Sequence, residues 1–102
     1  MSIIALDFDG VLADRAGQPM PDARDLVRRL VRAGNEVFVH SARANYAGGH
    51  QYIREWLLIN EFPALNIEPK PLADVYVDDR ALAHRGDWQA TYMNITRRSG
   101  RL

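Results

Sequence analysis

The chain has 102 residues, enough for one domain, and we expect residues 1–102 to form a single unit. Thirteen basic residues balance thirteen acidic ones, and a net charge of zero argues against general attraction to nucleic acid or membranes. The lack of Cys excludes disulfides, thiol catalysis and zinc–thiolate sites. We therefore expect a cytoplasmic protein, because the apolar run before Asp7 is also too short for a signal peptide or a membrane span.

Short apolar runs alternate with segments of helical spacing along the chain. In chain order this pattern predicts a strand at 3–6, a helix at 22–33, a strand at 36–40, a helix at 50–59, strands at 65–67 and 74–77, and a helix at 87–98. Gly34 and Asn60 stand where left-handed helix caps are expected, and Asp87 stands where an N-cap is expected. Continuous apolar strands are typical of a parallel sheet buried on both faces. The alternation predicts a three-layer, Rossmann-like α/β fold.

Polar side chains follow several of the predicted strands. Asp7 and Asp9 follow the first strand, Ser41 follows the second, and Asp78 follows the strand at 74–77. Ligands of parallel sheets bind beyond the carboxyl ends of the strands, where these residues are expected to meet. A carboxylate nucleophile and a second carboxylate for proton transfer, two residues apart, can flank one phosphorus atom.

Three further groups complete the chemistry of phosphoryl transfer. The hydroxyl of Ser41 can donate to a phosphate oxygen, and the ammonium of Lys70 can offset the clustered carboxylates. Asp78 and Asp79 are adjacent like charges, which are costly without a nearby cation. Together with Asp7 they form an oxygen-rich set that suits Mg²⁺.

Two arginines and three histidines lie near these clusters. Arg43 and Arg80 each follow a site cluster in a loop that should face the pocket. We expect them either to contact the substrate or to pair with nearby acids. His40, His50 and His84 lack the spacing of metal ligands and are interpreted as structural or surface residues.

Four motifs in this order resemble the haloacid dehalogenase superfamily over nearly the whole chain. They are IIALDFDGVL at Asp7 and Asp9, VHSAR at Ser41, PKP at Lys70, and VYVDDR at Asp78 and Asp79. The chain has no room for the additional cap domain that many members carry, so the resemblance is to the small capless phosphatases. An Asp at the second acidic position is found in phosphatases and phosphomutases of this group but not in its dehalogenases.

The resemblance implies a role for each motif residue. Asp7 would be the nucleophile, and Asp9 would be the general acid and base that also binds Mg²⁺ through its backbone carbonyl. Ser41 and Lys70 would hold the phosphoryl oxygens. Asp78 and Asp79 would anchor the metal directly or through water.

We expect a Mg²⁺-dependent phosphomonoester hydrolase that acts on a small phosphorylated substrate. A nucleotidase or a polynucleotide-end phosphatase is the enzymatic alternative, although zero net charge makes a long nucleic acid unlikely as the substrate. The alternative from another class is a non-enzymatic phospho-acceptor or binding module, which the order of the acidic motifs disfavours. The sequence leaves the substrate open. It also leaves open whether a homo-oligomer supplies the roof of the pocket.

Overall fold

A parallel sheet of three strands forms the centre of the computed structural model, which describes residues 1–99. Its elements in chain order are β1 (Ile3–Leu6), α1 (Ala23–Arg32), β2 (Glu36–Ser41), α2 (Gly49–Ile59), β3 (Asn66–Pro69) and α3 (Trp88–Ser99). The strands lie in the spatial order β1-β2-β3, so each of the first two helices links two neighbouring strands. The predicted α/β class with a parallel sheet is confirmed.

The sheet buries one of its faces much more fully than the other. Leu6 in β1 is in register with Val39 in β2, and the two side chains are 5% and 0% exposed. Ile3, on the opposite face of β1, is 67% exposed. The predicted three layers need helices on both faces, and β1 was expected to be buried on both. Within residues 1–99 the observed arrangement has two layers instead, because all three helices pack into one core on the face of Val39.

Each helix contributes apolar side chains to this core. The buried helical residues are Ala23, Leu26, Val27 and Leu30 in α1, Ile53, Trp56 and Leu57 in α2, and Trp88 and Ile95 in α3. No helix within residues 1–99 combines the length and the apolar character needed to cross a membrane.

Two of the three predicted helix caps are confirmed. Gly34 has a φ of +92°, and the Asp87 carboxylate accepts a bond of 3.2 Å from the backbone N–H three residues later. The prediction for Asn60 is wrong, because its φ is −92° and the left-handed residue is Glu61, at +62°. The side-chain amide of Asn60 instead donates to the carbonyl of Trp56, at 2.9 Å, and extends the helix end.

The strand predicted at 74–77 is absent from the structure. Every residue from 71 to 80 is exposed, and Val75 and Val77 are 72% and 95% exposed. The Tyr76 hydroxyl donates to the carbonyl of Pro71, so the segment folds back on itself and does not extend along β1. The free edge of β1 therefore has no strand beside it within residues 1–99.

Candidate active site

The carboxylate of Asp7 faces the ammonium of Lys70 at the carboxyl edge of the sheet. Asp7 directly follows β1 and Lys70 directly follows β3, and the atoms Oδ2 and Nζ are 3.5 Å apart. The other carboxylate oxygen of Asp7 accepts a bond of 2.7 Å from the backbone N–H of Phe8. One oxygen of Asp7 is thus fixed by the backbone, and the other faces the ammonium. The side chain of Asp7 is 37% exposed and that of Lys70 is 21% exposed.

The tight loop after Asp7 returns Asp9 to the same edge. The carbonyl of Phe8 accepts bonds from the backbone N–H groups of Leu12 and Ala13, at 2.9 and 3.1 Å. Gly10 has a φ of +81°, a conformation that side chains with a Cβ rarely adopt. Gly10 therefore favours the tight turn that follows Asp9.

The Asp9 carboxylate makes a two-point contact with the guanidinium of Arg43. Nε and Nη2 of Arg43 donate to the two Asp9 oxygens at 3.0 and 2.7 Å. The hydrogen bonds to Asp9 raise the pKa of Arg43, so the guanidinium is charged at any physiological pH. The sequence left two roles open for Arg43, and the structure shows it paired with an acid.

Two aromatic rings support the Arg43 side chain. Its guanidinium carbon lies 5.0 Å from the ring centre of Tyr52 and 5.9 Å from that of Phe8. The two rings meet edge to face, at an interplanar angle of 88°. Sequence reasoning missed Tyr52, because its helix position has no motif and only the packing of α2 brings it to Arg43.

The hydroxyl of Ser41 is buried and holds the turn that carries Arg43. Ser41 is 0% exposed, and its oxygen accepts a bond of 3.1 Å from the backbone N–H of Arg43. This bond caps a short 3-10 turn, Ala42–Asn45. The hydroxyl proton donates to no partner within residues 1–99, but the side chain is closed to solvent, so in this structure Ser41 positions the turn and does not face a ligand.

The same turn also fixes the backbone of Lys70. Its carbonyl accepts a bond from the side chain of Asn45, and its N–H donates to the carbonyl of Ser41 at 3.0 Å. Gly49 packs so closely that a Cβ there would lie 1.9 Å from the carbonyl oxygen of Arg43. Hydrogen bonds therefore join the two backbone segments that carry Arg43 and Lys70.

Asp78, Asp79 and Arg80 lie in the exposed segment and are not joined to this cluster. The Asp78 carboxylate accepts a bond of 2.8 Å from the backbone N–H of Arg80, which closes a local turn. No group of three or more His, Asp or Glu side chains in the described part of the chain could hold a metal. The structure therefore does not assemble Asp7 and Asp9 with Asp78 and Asp79, because the predicted strand that would carry the second pair is absent.

A groove elsewhere on the molecule contains none of the predicted site residues. It has a volume of about 540 Å³ and lies between α2 and β3, lined by Leu57, Phe62 and Ile67 among others. Its lining also includes His50, Arg54 and Glu68, but within residues 1–99 these side chains form no acid–cation pair like the two at the strand ends. The chemistry therefore points to the open carboxyl edge of the sheet.

Comparisons with family models, with curated proteins and with solved structures found no match to this chain. The resemblance of the four motifs to the haloacid dehalogenase superfamily stays a hypothesis drawn from the sequence. The function is accordingly argued from the residues at the sheet edge.

Proposed function

We propose that the chain is a phosphomonoester hydrolase that forms an aspartyl-phosphate at Asp7. The observation that supports this proposal is the pairing of two acids, two residues apart, with two different cations. Asp7 faces Lys70 at 3.5 Å, and Asp9 is bound by Arg43 at 2.7 and 3.0 Å. A polar turn after a strand needs no such pairing with cations from two other loops.

In the first half of the proposed reaction, an oxygen of Asp7 attacks phosphorus and the bond from phosphorus to the ester oxygen breaks. Protonated Asp9 gives its proton to that leaving oxygen. Lys70 lies within reach of the attacking carboxylate and offsets the charge of the phosphoryl oxygens. The buried hydroxyl of Ser41 holds the turn that carries Arg43.

In the second half, a water oxygen attacks the same phosphorus and the bond to Asp7 breaks, which releases inorganic phosphate. Ionised Asp9 takes the proton of that water. The two-point contact with Arg43 fits the ionised carboxylate, so it supports this step and must loosen for the protonated form that the first half uses. One residue thus acts first as an acid and then as a base.

The proposal includes Mg²⁺, which would neutralise part of the charge between the phosphate and Asp7. Asp7 and the backbone carbonyl of Asp9 are the ligands that the sheet edge offers. Asp78 and Asp79 are the further ligands that the sequence suggests, and the structure does not group them with Asp7. The proposed dependence on Mg²⁺ therefore rests on the pattern of acidic motifs in the sequence.

A metal-dependence assay with an aryl phosphate tests this function. We expect hydrolysis in Mg²⁺, loss of hydrolysis in chelator, and recovery when Mg²⁺ is restored. Ca²⁺ should replace Mg²⁺ poorly, because its larger and more flexible shell would misplace the nucleophile. Equal turnover in chelator would contradict the proposed requirement for Mg²⁺. Phosphate release that is unchanged in Asp7→Asn would contradict the proposed hydrolysis through Asp7.

A further inference from the structure

We propose that Arg43 determines substrate specificity by binding a second anionic group, a carboxylate or a phosphate, in the leaving portion of the substrate. The inference rests on the proposed function and names its substrate class. The preferred substrates are phosphomonoesters that carry another anion beyond the ester oxygen.

The first argument is that the guanidinium of Arg43 has donors to spare. Arginine carries five N–H donors, and Asp9 engages one from Nε and one from Nη2. Within residues 1–99, Nη1 donates to no partner. The side chain is 42% exposed, so a ligand can reach it. Planar pairs of such donors match the oxygens of a carboxylate or a phosphate.

The second argument is that the position of the guanidinium is built and not incidental. The Arg43 backbone is held by the Ser41 hydroxyl and by the close approach of Gly49. Its side chain lies against the rings of Phe8 and Tyr52. An exposed arginine without a ligand would not need two aromatic supports and a glycine packed against its carbonyl.

The third argument concerns direction. Asp9 passes its proton to the leaving oxygen in the proposed reaction, so the groups around Asp9 face the leaving side of phosphorus. Lys70, by contrast, faces Asp7, on the attacking side. Arg43 is therefore placed to bind the leaving group, whereas Lys70 is placed to bind the phosphoryl group.

The fourth argument is the balance of charge. Asp7 and Asp9 are already matched by Lys70 and Arg43, so a simple neutral leaving group has no use for the spare donors of Arg43. The Asp9–Arg43 pair is partly exposed, and such pairs are weak enough to exchange partners. A substrate anion can thus bind beside Asp9 or take its place.

The test uses three alkyl phosphomonoesters of equal chain length. They differ at the far end, which carries a hydroxyl, a carboxylate or a second phosphate. For the wild-type protein we expect kcat/KM to be at least about tenfold higher for one or both of the anionic substrates. Arg43→Gln should remove the preference for the anionic substrates, mainly by raising their KM. Arg43→Lys should restore part of that preference. Because any effect on Asp9 applies to all three substrates, the ratio isolates recognition of the second anion.

Arg32→Gln is the matched control, since Arg32 is an exposed arginine at the end of α1. It should leave all three rates unchanged. A calorimetric titration with the anion-bearing alcohol products gives a readout independent of turnover, and binding should weaken in Arg43→Gln. The anionic group that raises kcat/KM more, relative to the hydroxyl, indicates whether the preferred substrates carry a carboxylate or a second phosphate.

Two results would overturn the inference while leaving the hydrolase intact. One is equal kcat/KM for all three substrates in the wild-type protein. The other is a preference that survives Arg43→Gln but disappears in Arg80→Gln, which would move recognition to the exposed segment. Absence of turnover with every substrate, together with absence of product binding, would overturn both the inference and the proposed function.

Discussion

The carboxyl edge of the sheet and the segment 71–80 carry similar acidic motifs but differ in how the fold holds them. At the sheet edge, Asp7 and Asp9 follow a paired strand, and each carboxylate has a cation within 3.5 Å. In the segment every residue is exposed, and within residues 1–99 the Asp78 carboxylate bonds only to the backbone two residues further on. In this chain, the acidic motif that follows a paired strand has cationic partners, and the acidic motif in the unpaired segment has none within residues 1–99.

The largest expected effect comes from removing charge at the sheet edge. Asp9→Asn should lower kcat on an aryl phosphate by roughly 10²–10⁴-fold, because proton transfer is lost. Asp79→Asn should cost less, and added Mg²⁺ should recover part of the loss. Steady-state rates at several Mg²⁺ concentrations measure both. A larger effect for Asp79→Asn would reverse the proposed ranking of the two regions.

The sequence predicts the sheet edge well because local signals specify it. Apolar runs ending at Asp7 and Ser41 mark the strand ends, and Gly10 marks the turn after Asp9. The strand predicted at 74–77 is absent because three apolar or aromatic neighbours, Val75, Tyr76 and Val77, indicate burial but do not specify a partner strand. The run around Val77 has the right composition for a strand, yet the fold does not pair it.

The contacts of the two cations could not be predicted from the sequence either. Arg43 and Tyr52 are nine residues apart in different elements, and their contact depends on how α2 packs against the turn at Ala42–Asn45. Lys70 and Tyr76 are six residues apart, and the ring centre lies 4.2 Å from the ammonium because the segment folds back on itself. Side-chain pairing across separate elements is a result of tertiary packing and leaves no periodic signal.

A matched pair of valines sharpens the comparison through stability. Val39 is 0% exposed in the central strand and Val77 is 95% exposed. Val39→Ala should lower the free energy of unfolding by about 2 kcal/mol, because two buried methyl groups are lost and a cavity is left. Val77→Ala should change it by less than about 0.5 kcal/mol. Denaturant unfolding measures both, and a large loss for Val77→Ala would mean that the segment is packed in solution.

The smallest expected effect is at His84, where packing resumes after the exposed segment. Burial lowers the pKa of His84, against the opposing charge of Asp87, and its Nε2 is a buried atom without a partner within residues 1–99. The unfolded chain therefore takes up this proton at a higher pH than the folded chain does. Stability should fall as the pH drops below about 6.5, towards the lowered pKa.

Unfolding curves between about pH 7.5 and 5.5 should show this loss in the wild-type protein, and His84→Gln should flatten it. The neutral glutamine carries no proton to take up, so it separates this histidine from His40 and His50. An unchanged slope in His84→Gln would place the pH dependence elsewhere.

The central claim is that Asp7 carries the phosphoryl group, and direct detection of the phosphorylated residue tests it. The protein is incubated with Mg²⁺ and a reactive aryl phosphate, quenched in acid, and analysed by peptide mass spectrometry. We predict one added phosphoryl group on Asp7, with more of it in Asp9→Asn, where hydrolysis of the intermediate is slowed. A phosphoryl group on another residue, or its persistence in Asp7→Asn, would contradict the account.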